Sequence, residues 1–295
     1  MAATPAEVDS HPLKAALWMT GAVVSFTSMA VAGRYTAHEL DTFELLMYRS
    51  LVGVVIVLSV ALARGTWRQI TLRRLPLHFL RNLAHFTGQN LWFFAITLIP
   101  LAQVFALEFT TPLWVVLLAP MLLGEHLTRT KGLSVLMGFV GILIVARPDF
   151  ANLNVGVVAA ASCAIGFAIT SISTKRLTRT ETVTCILFWL TTMQAVMGLV
   201  TAGWDGYIAV PSASVAPWVA VVALGGLMAH FSLTKALALA PASIVQPMDF
   251  ARLPVVAVVG MLVFAEPLDP MVFLGAALIL TGNVLNLRAE TRRQP

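Results

Sequence analysis

In the segment RNLAHFTGQNLW, Arg81, His85, Gly88, Gln89 and Trp92 recur at spacings of three and four. On an α-helix that spacing gathers them on one face. An imidazole, a carboxamide and an indole on one face of an otherwise apolar helix can hydrogen-bond and stack on a small molecule. His85, Gln89 and Trp92 are therefore expected to line a wet central cavity, the alternative being hydrogen bonds between packed helices. A second constellation is acidic and basic. Glu108 lies in one apolar run, and Asp249 and Arg252, three residues apart and able to pair, lie in another. These groups can neutralise one another as a structural cluster, meet the charged ends of a zwitterionic substrate, or, through an acid, carry a coupling proton. Trp114, in the same run as Glu108, can stack on a ligand or fill space.

Other chemistries lack their residues. The six histidines, at 11, 38, 78, 85, 126 and 230, never fall four apart, so H-E-x-x-H is absent, as are G-x-S-x-G and a phosphate-binding Walker loop. Neither hydrolysis nor ATP coupling is expected, and no cofactor or metal is implied. Cys163 and Cys185 sit in different apolar segments at different depths, which argues against a disulfide.

Elements long enough to hold these faces follow from composition. The chain has 295 residues, 58% hydrophobic and 11% charged, against roughly 25% charged in a soluble domain. A bilayer core of about 30 Å takes about 20 residues per helix. Apolar runs bounded by charge, Pro or Gly fall near 13–32, 43–63, 77–98, 101–123, 131–147, 153–174, 183–203, 216–237, 242–264 and 270–287, predicting ten transmembrane helices with short ends at 1–12 and 289–295. Those ten use about 200 residues, leaving no separate catalytic or nucleic-acid-binding domain. Pro112, Pro120, Pro247 and Pro254 fall inside the fourth and ninth runs alone and predict kinks there.

The basic residues assign an orientation. With the N-terminus inside, 15 of the 19 Lys and Arg lie in cytoplasmic segments, including Arg64, Arg68, Arg73, Arg74, Arg81, Lys175, Arg176, Arg179, Arg292 and Arg293. The outer loops keep Arg34 and Arg147, and those around Asp205 and at Glu266 and Asp269 have no basic residue. Retention of Lys and Arg on the cytoplasmic side predicts N-in, C-in. Arg49, inside the second run, is expected to snorkel outward or bond backbone carbonyls.

One offset aligns the chain with itself without gaps: Phe26 with Phe167, Pro76 with Pro217, Gln89 with His230, Pro100 with Pro241, Glu108-Phe109 with Asp249-Phe250, Glu125 with Glu266, Gly141 with Gly282 and Arg147 with Arg288, each 141 residues apart. His230 thereby joins the candidate cavity residues, on the eighth run. Five spans per half is an odd number, so the second half enters the membrane from the opposite face. Inverted repeats are the architecture of secondary transporters, whose halves rock about a site near the midplane; a channel or scaffold gives no reason for the duplication.

The stretches LGEHLTRTKGLSVLMGFVGILIVARP (123–148) and FAEPLDPMVFLGAALILTGNVLNLR (264–288) resemble the two copies of the EamA repeat in the drug/metabolite transporter superfamily, which predicts repeats over 13–148 and 153–288. Glu125, Gly132, Gly138 and Gly141 in one copy and Glu266, Gly275 and Gly282 in the other carry the likeness; Ile279 departs from it where the first copy has Gly138. Glu125 and Glu266 are expected to cap the helix that follows each. The resemblance implies a multi-pass protein of the bacterial inner membrane that moves a small organic metabolite by alternating access between the first, third, fourth, sixth, eighth and ninth helices. Within that family the chain looks like the exporters of aromatic and other hydrophobic amino acids, the alternative being export of other metabolites or drugs, with proton coupling left open. The expected partners are that substrate and membrane lipid.

Overall fold

The computed structural model describes residues 11–99, 101–125, 127–146, 155–265 and 270–291. The expectations at Pro100, His126, Arg147, Glu266, Asp269, Arg292 and Arg293, and for most of the N-terminal tail, lie outside the described residues. Among the described residues the regular structure is helical throughout. The helices are α1 (Pro12–Thr36), α2 (Thr42–Ala63), α3 (Leu75–Leu98), α4 (Leu101–Glu108), α5 (Thr111–Leu123), α6 (Arg129–Ala146), α7 (Val155–Leu177), α8 (Val183–Ala202), α9 (Ala216–Leu239), α10 (Ala242–Met248), α11 (Arg252–Phe264) and α12 (Met271–Thr291). They occupy the ten apolar runs, two of which are broken. α4 and α5 share the fourth; α10 and α11 share the ninth, joined by a 3-10 turn at Asp249–Ala251. Among the described residues, six helical stretches are long and apolar enough to cross a membrane: α1, α2, α7, α8, α9 and Ala242–Phe264 taken across its 3-10 turn. α3 has the length, but His78, Arg81, Asn82, His85, Gln89 and Asn90 hold its hydropathy down.

Loop contacts define two ends of the bundle. At one, His11 N–H donates to Leu239 O at 2.7 Å, Arg73 Nη2 to Thr180 O at 3.1 Å and Arg179 Nη2 to Leu123 O at 2.6 Å. At the other, Ala209 N–H donates to Glu44 Oε1 at 2.6 Å, Ser212 N–H to Glu39 Oε2 at 3.0 Å, and the Arg34 guanidinium lies 4.5 Å over the Phe264 ring. α1 therefore leaves the first end and α7, its counterpart 141 residues on, returns to it. α2 against α8, and α5 against α11, are likewise opposed. The arginine-rich α2–α3 and α7–α8 connections meet at the first end, the one the charge map assigns to the cytoplasm.

The halves pack reciprocally. α1 runs along α9 and α3 along α7, while α2 pairs with α8 and α6 with α12; each contact is matched by its image under the offset. A Cβ on Gly225 of α9 would stand 3.1 Å from Ser25 O on α1, and one on Gly166 of α7 would stand 2.9 Å from Ala84 O on α3. Ser25 and Gly166 are 141 apart, as are Ala84 and Gly225. The α6–α12 pair repeats this, Gly141 against Gly275 and Gly282 against Ser134. Reciprocal contact of this kind is the mark of a two-fold relation. The mismatch at Gly138 and Ile279 has a steric cause: a Cβ on Gly138 would lie 2.2 Å from the Phe250 ring, so the first copy cannot carry a side chain there. Small-residue stripes on α1 and α7 serve this close approach.

Candidate functional site

The two helix breaks carry the acids. Pro112 has no N–H to give to the carbonyl of residue 108, and Thr111 Oγ1 supplies the bond instead, at 2.7 Å. Pro254 likewise leaves the carbonyl of residue 250 without its helical donor, at the 3-10 turn. Glu108 and Asp249 stand at these two interruptions. Arg252 joins them: its Nη2 bonds Glu108 Oε1 and lies 3.1 Å from Asp249 Oδ2. Trp92 Nε1 donates to the other Glu108 oxygen at 2.7 Å. Three phenylalanine rings, Phe109 at 4.8 Å, Phe26 at 5.1 Å and Phe105 at 5.9 Å, surround the guanidinium, a cation–π cage in a dry setting. Both acids reach the one arginine, which makes this a trio.

The trio forms one side of a cavity of about 820 Å³, its open mouth included, walled by α1, α3, α4, α5, α7, α9, α10, the 3-10 turn and the start of α11. His85, Gln89, Trp92, Glu108, His230, Asp249 and Arg252 all line it. The imidazoles of His85 and His230 meet edge to face with centroids 4.5 Å apart, and their outer sides contact Phe167 at 5.9 Å and Phe26 at 5.7 Å. Both are buried, yet none of their four ring nitrogens has a hydrogen-bond partner, nor do Gln89 Oε1, Gln246 Nε2 and Asp249 Oδ1. Buried polar atoms are ordinarily paired, so these atoms are free to bond a small molecule entering the cavity. A smaller pocket holding Arg49 adjoins at His230, which lines both.

Several expectations change. Trp114 is 39% exposed and is not brought to the cavity; its helix α5 turns that side outward. Arg49 is 5% exposed, so it does not snorkel, and its Nη1 has no hydrogen-bond partner. Arg81, counted with the loops, is buried within α3, where Nε donates to Thr174 Oγ1 at 3.0 Å and Nη1 to Asn82 Oδ1 at 2.7 Å. Lys175 is also buried, its ammonium donating to Leu237 O and Ala240 O, both at 2.7 Å, at the end of α9. Glu125 caps a helix, but not the following one: it accepts from Ala242 N–H at 2.8 Å and Ser243 N–H at 3.0 Å, at the start of α10 in the other repeat. Phe26, Met29, Phe167, Thr170, Ser171 and Gln246 also line the cavity, and none of them was among the candidate cavity residues. Phe26 and Phe167 had a signal, since they match at the repeat offset.

An inverted helical bundle, with broken helices presenting charged groups to a cavity between its halves, has the architecture of secondary transporters. The EamA-like transporter family matches twice, over residues 13–147 and 154–288, and the chain belongs to that family. It is 25% identical over 291 residues to a riboflavin transporter of Vibrio cholerae, covering 97% of each chain. A riboflavin transporter of Brucella anthropi is 28% identical, over 92% of this chain and 98% of that one. An S-adenosylmethionine uptake transporter of Rickettsia felis is 24% identical, over 93% and 92%. A solved crystal structure superposes with a TM-score of 0.78 at 20% identity, covering 95% of this chain and 99% of the other, which fixes the fold. With bacterial relatives of this kind, the protein is a multi-pass protein of the inner membrane that transports small metabolites.

Proposed function

We propose that the chain carries a metabolite with a planar, nitrogen-containing ring system, bound in the central cavity and exposed to either side by rocking of the two repeats. The observation that carries this is the cavity wall: unpartnered ring nitrogens on His85 and His230 and unpartnered amide atoms on Gln89 and Gln246, set among Phe26, Phe167 and Trp92. A heterocycle offers donors and acceptors around its edge and π faces above and below, which such a wall satisfies by hydrogen bonding and stacking. The relatives support the same class, since riboflavin and S-adenosylmethionine each contain a fused nitrogen heterocycle. Export of an aromatic amino acid, the narrower expectation from sequence, has no counterpart among these relatives, and the benzene ring of phenylalanine offers the wall no in-plane hydrogen-bond partner.

The test is counterflow in proteoliposomes preloaded with riboflavin, S-adenosylmethionine or phenylalanine. Saturable, trans-stimulated exchange of a heterocyclic metabolite supports the proposal; exchange of phenylalanine alone rejects it, and flux without saturation rejects a carrier. An imposed proton gradient in the same liposomes reads coupling through Glu108 or Asp249.

A further inference from the structure

At the arginine-rich end of the bundle, away from the central cavity, three side chains of different chemistry meet. His78 lies in the first turn of α3, and Glu181 and Cys185 flank the start of α8. All three are buried, and one ligand atom from each lies within 4.8 Å of the other two. His78 Nε2 and Cys185 Sγ are 3.9 Å apart. With zinc–sulfur bonds of about 2.3 Å and zinc–nitrogen bonds of about 2.0–2.1 Å, sulfur and nitrogen in a tetrahedral site stand roughly 3.5–3.6 Å from each other. The His78–Cys185 edge, at 3.9 Å, needs only a small side-chain adjustment to reach that length.

The surroundings suit a soft divalent ion. Thr71 Oγ1 donates to Glu181 Oε2 at 2.8 Å, and Thr71 N–H points to Cys185 Sγ at 3.5 Å, so one residue orients two of the three groups, as outer-shell partners of metal ligands do. Glu181 Oε1 accepts no hydrogen bond. Its charge is met at 3.5 Å by Arg73, whose side chain is 62% exposed and can yield to an incoming cation. The set of imidazole, thiolate and carboxylate selects zinc over the hard cations.

We propose that His78, Glu181 and Cys185 bind one divalent ion of the zinc class, with a water completing the tetrahedron and the Cys185 thiol releasing its proton to solvent as the Sγ–metal bond forms. The ion ties α3 of the first repeat to the α7–α8 turn of the second, and its binding does not depend on what the central cavity carries.

Cobalt(II) is the probe, added to the full purified chain after chelator treatment. The expected result is one cobalt per chain, with a thiolate-to-cobalt charge-transfer band in the near ultraviolet that zinc abolishes by displacement. Cys163→Ser retains the band, because Cys163 is buried elsewhere and donates to Ala160 O at 3.0 Å. Cys185→Ser loses it, and Glu181→Gln weakens cobalt binding at least tenfold. Should Cys185→Ser fail to fold, zinc is expected to slow maleimide labelling of Cys185 at least tenfold in the Cys163→Ser chain. A wild-type chain without the band, a band that survives Cys185→Ser, or labelling indifferent to zinc overturns the proposal.

Discussion

His85 and His230 face each other in the cavity with every ring nitrogen unpaired, and that geometry makes an unusual prediction. Truncating a paired buried group costs stability, whereas replacing an unpaired one by an apolar group of similar size is close to neutral or stabilising. His85→Leu and His230→Leu are each expected to leave the thermal midpoint unchanged or raised while lowering exchange at least tenfold, measured on the same preparations. Glu108 behaves oppositely. Glu108→Gln keeps an acceptor for Trp92 but removes a charge from Arg252, which retains only Asp249, so a loss of about 1–3 kcal/mol is expected by denaturant unfolding. The sequence made much of this legible. Spacings of three and four exposed the α3 face, and the repeat offset reached His230 from Gln89. Trp114, which the sequence left between stacking on a ligand and filling space, is kept from the cavity because the break at residues 108–111 resets which side of α5 faces inward. That Glu108, Asp249 and Arg252 can cluster was legible too, but not that Arg252 reaches both acids at once, since its contact with Glu108 joins different repeats.

Among elements, the short helices depend on groups outside themselves. α10 has seven residues and begins at the carboxylate of Glu125 from the other repeat. Glu125→Ala is expected to cost about 0.5–2 kcal/mol, the ordinary worth of an N-terminal cap, read by thermal unfolding. The sequence marked Glu125 as a cap by type and position, yet assigned it to α6, because a cap that crosses repeats leaves no local pattern. At the opposite end Glu39, in the connection between α1 and α2, accepts from the backbone N–H and hydroxyl of Ser212 in the α8–α9 connection. The backbone bond first, then the hydroxyl, hold its carboxyl below the usual 4.5. A lowered carboxyl contributes stability above the unfolded value and loses it as pH falls through the folded one. Stability is therefore expected to decline below about pH 4.5 with a part that Glu39→Gln abolishes, measured as melting temperature against pH. Pro112 and Pro254 located the breaks in the fourth and ninth apolar runs beforehand, since each removes a helical hydrogen bond whatever the tertiary context, whereas Pro120 and Pro247 lie within α5 and α10.

Across the whole molecule, duplication and inversion were readable because both rest on counting: a single offset of 141, five apolar runs per half, and arginines crowded into alternate loops. How the halves interlock was not, since the reciprocal contacts of Gly141 with Gly275 and of Gly282 with Ser134 join residues far apart in the chain. Gly141→Val would set a Cβ 2.7 Å from the Gly275 carbonyl oxygen and the Ile279 side chain. Overpacking of that kind costs about 1–3 kcal/mol, to be seen as a lowered denaturation midpoint. The central claim is that the cavity between the repeats is the substrate site and that its unpartnered polar wall recognises a heterocycle. Equilibrium binding of the exchanged metabolite to purified wild type, His85→Leu, His230→Leu and Gln89→Leu tests it most directly, with unligated melting temperatures recorded alongside. The account predicts at least tenfold weaker binding in each variant at undiminished stability. Undiminished affinity, or affinity lost only in step with stability, would contradict it.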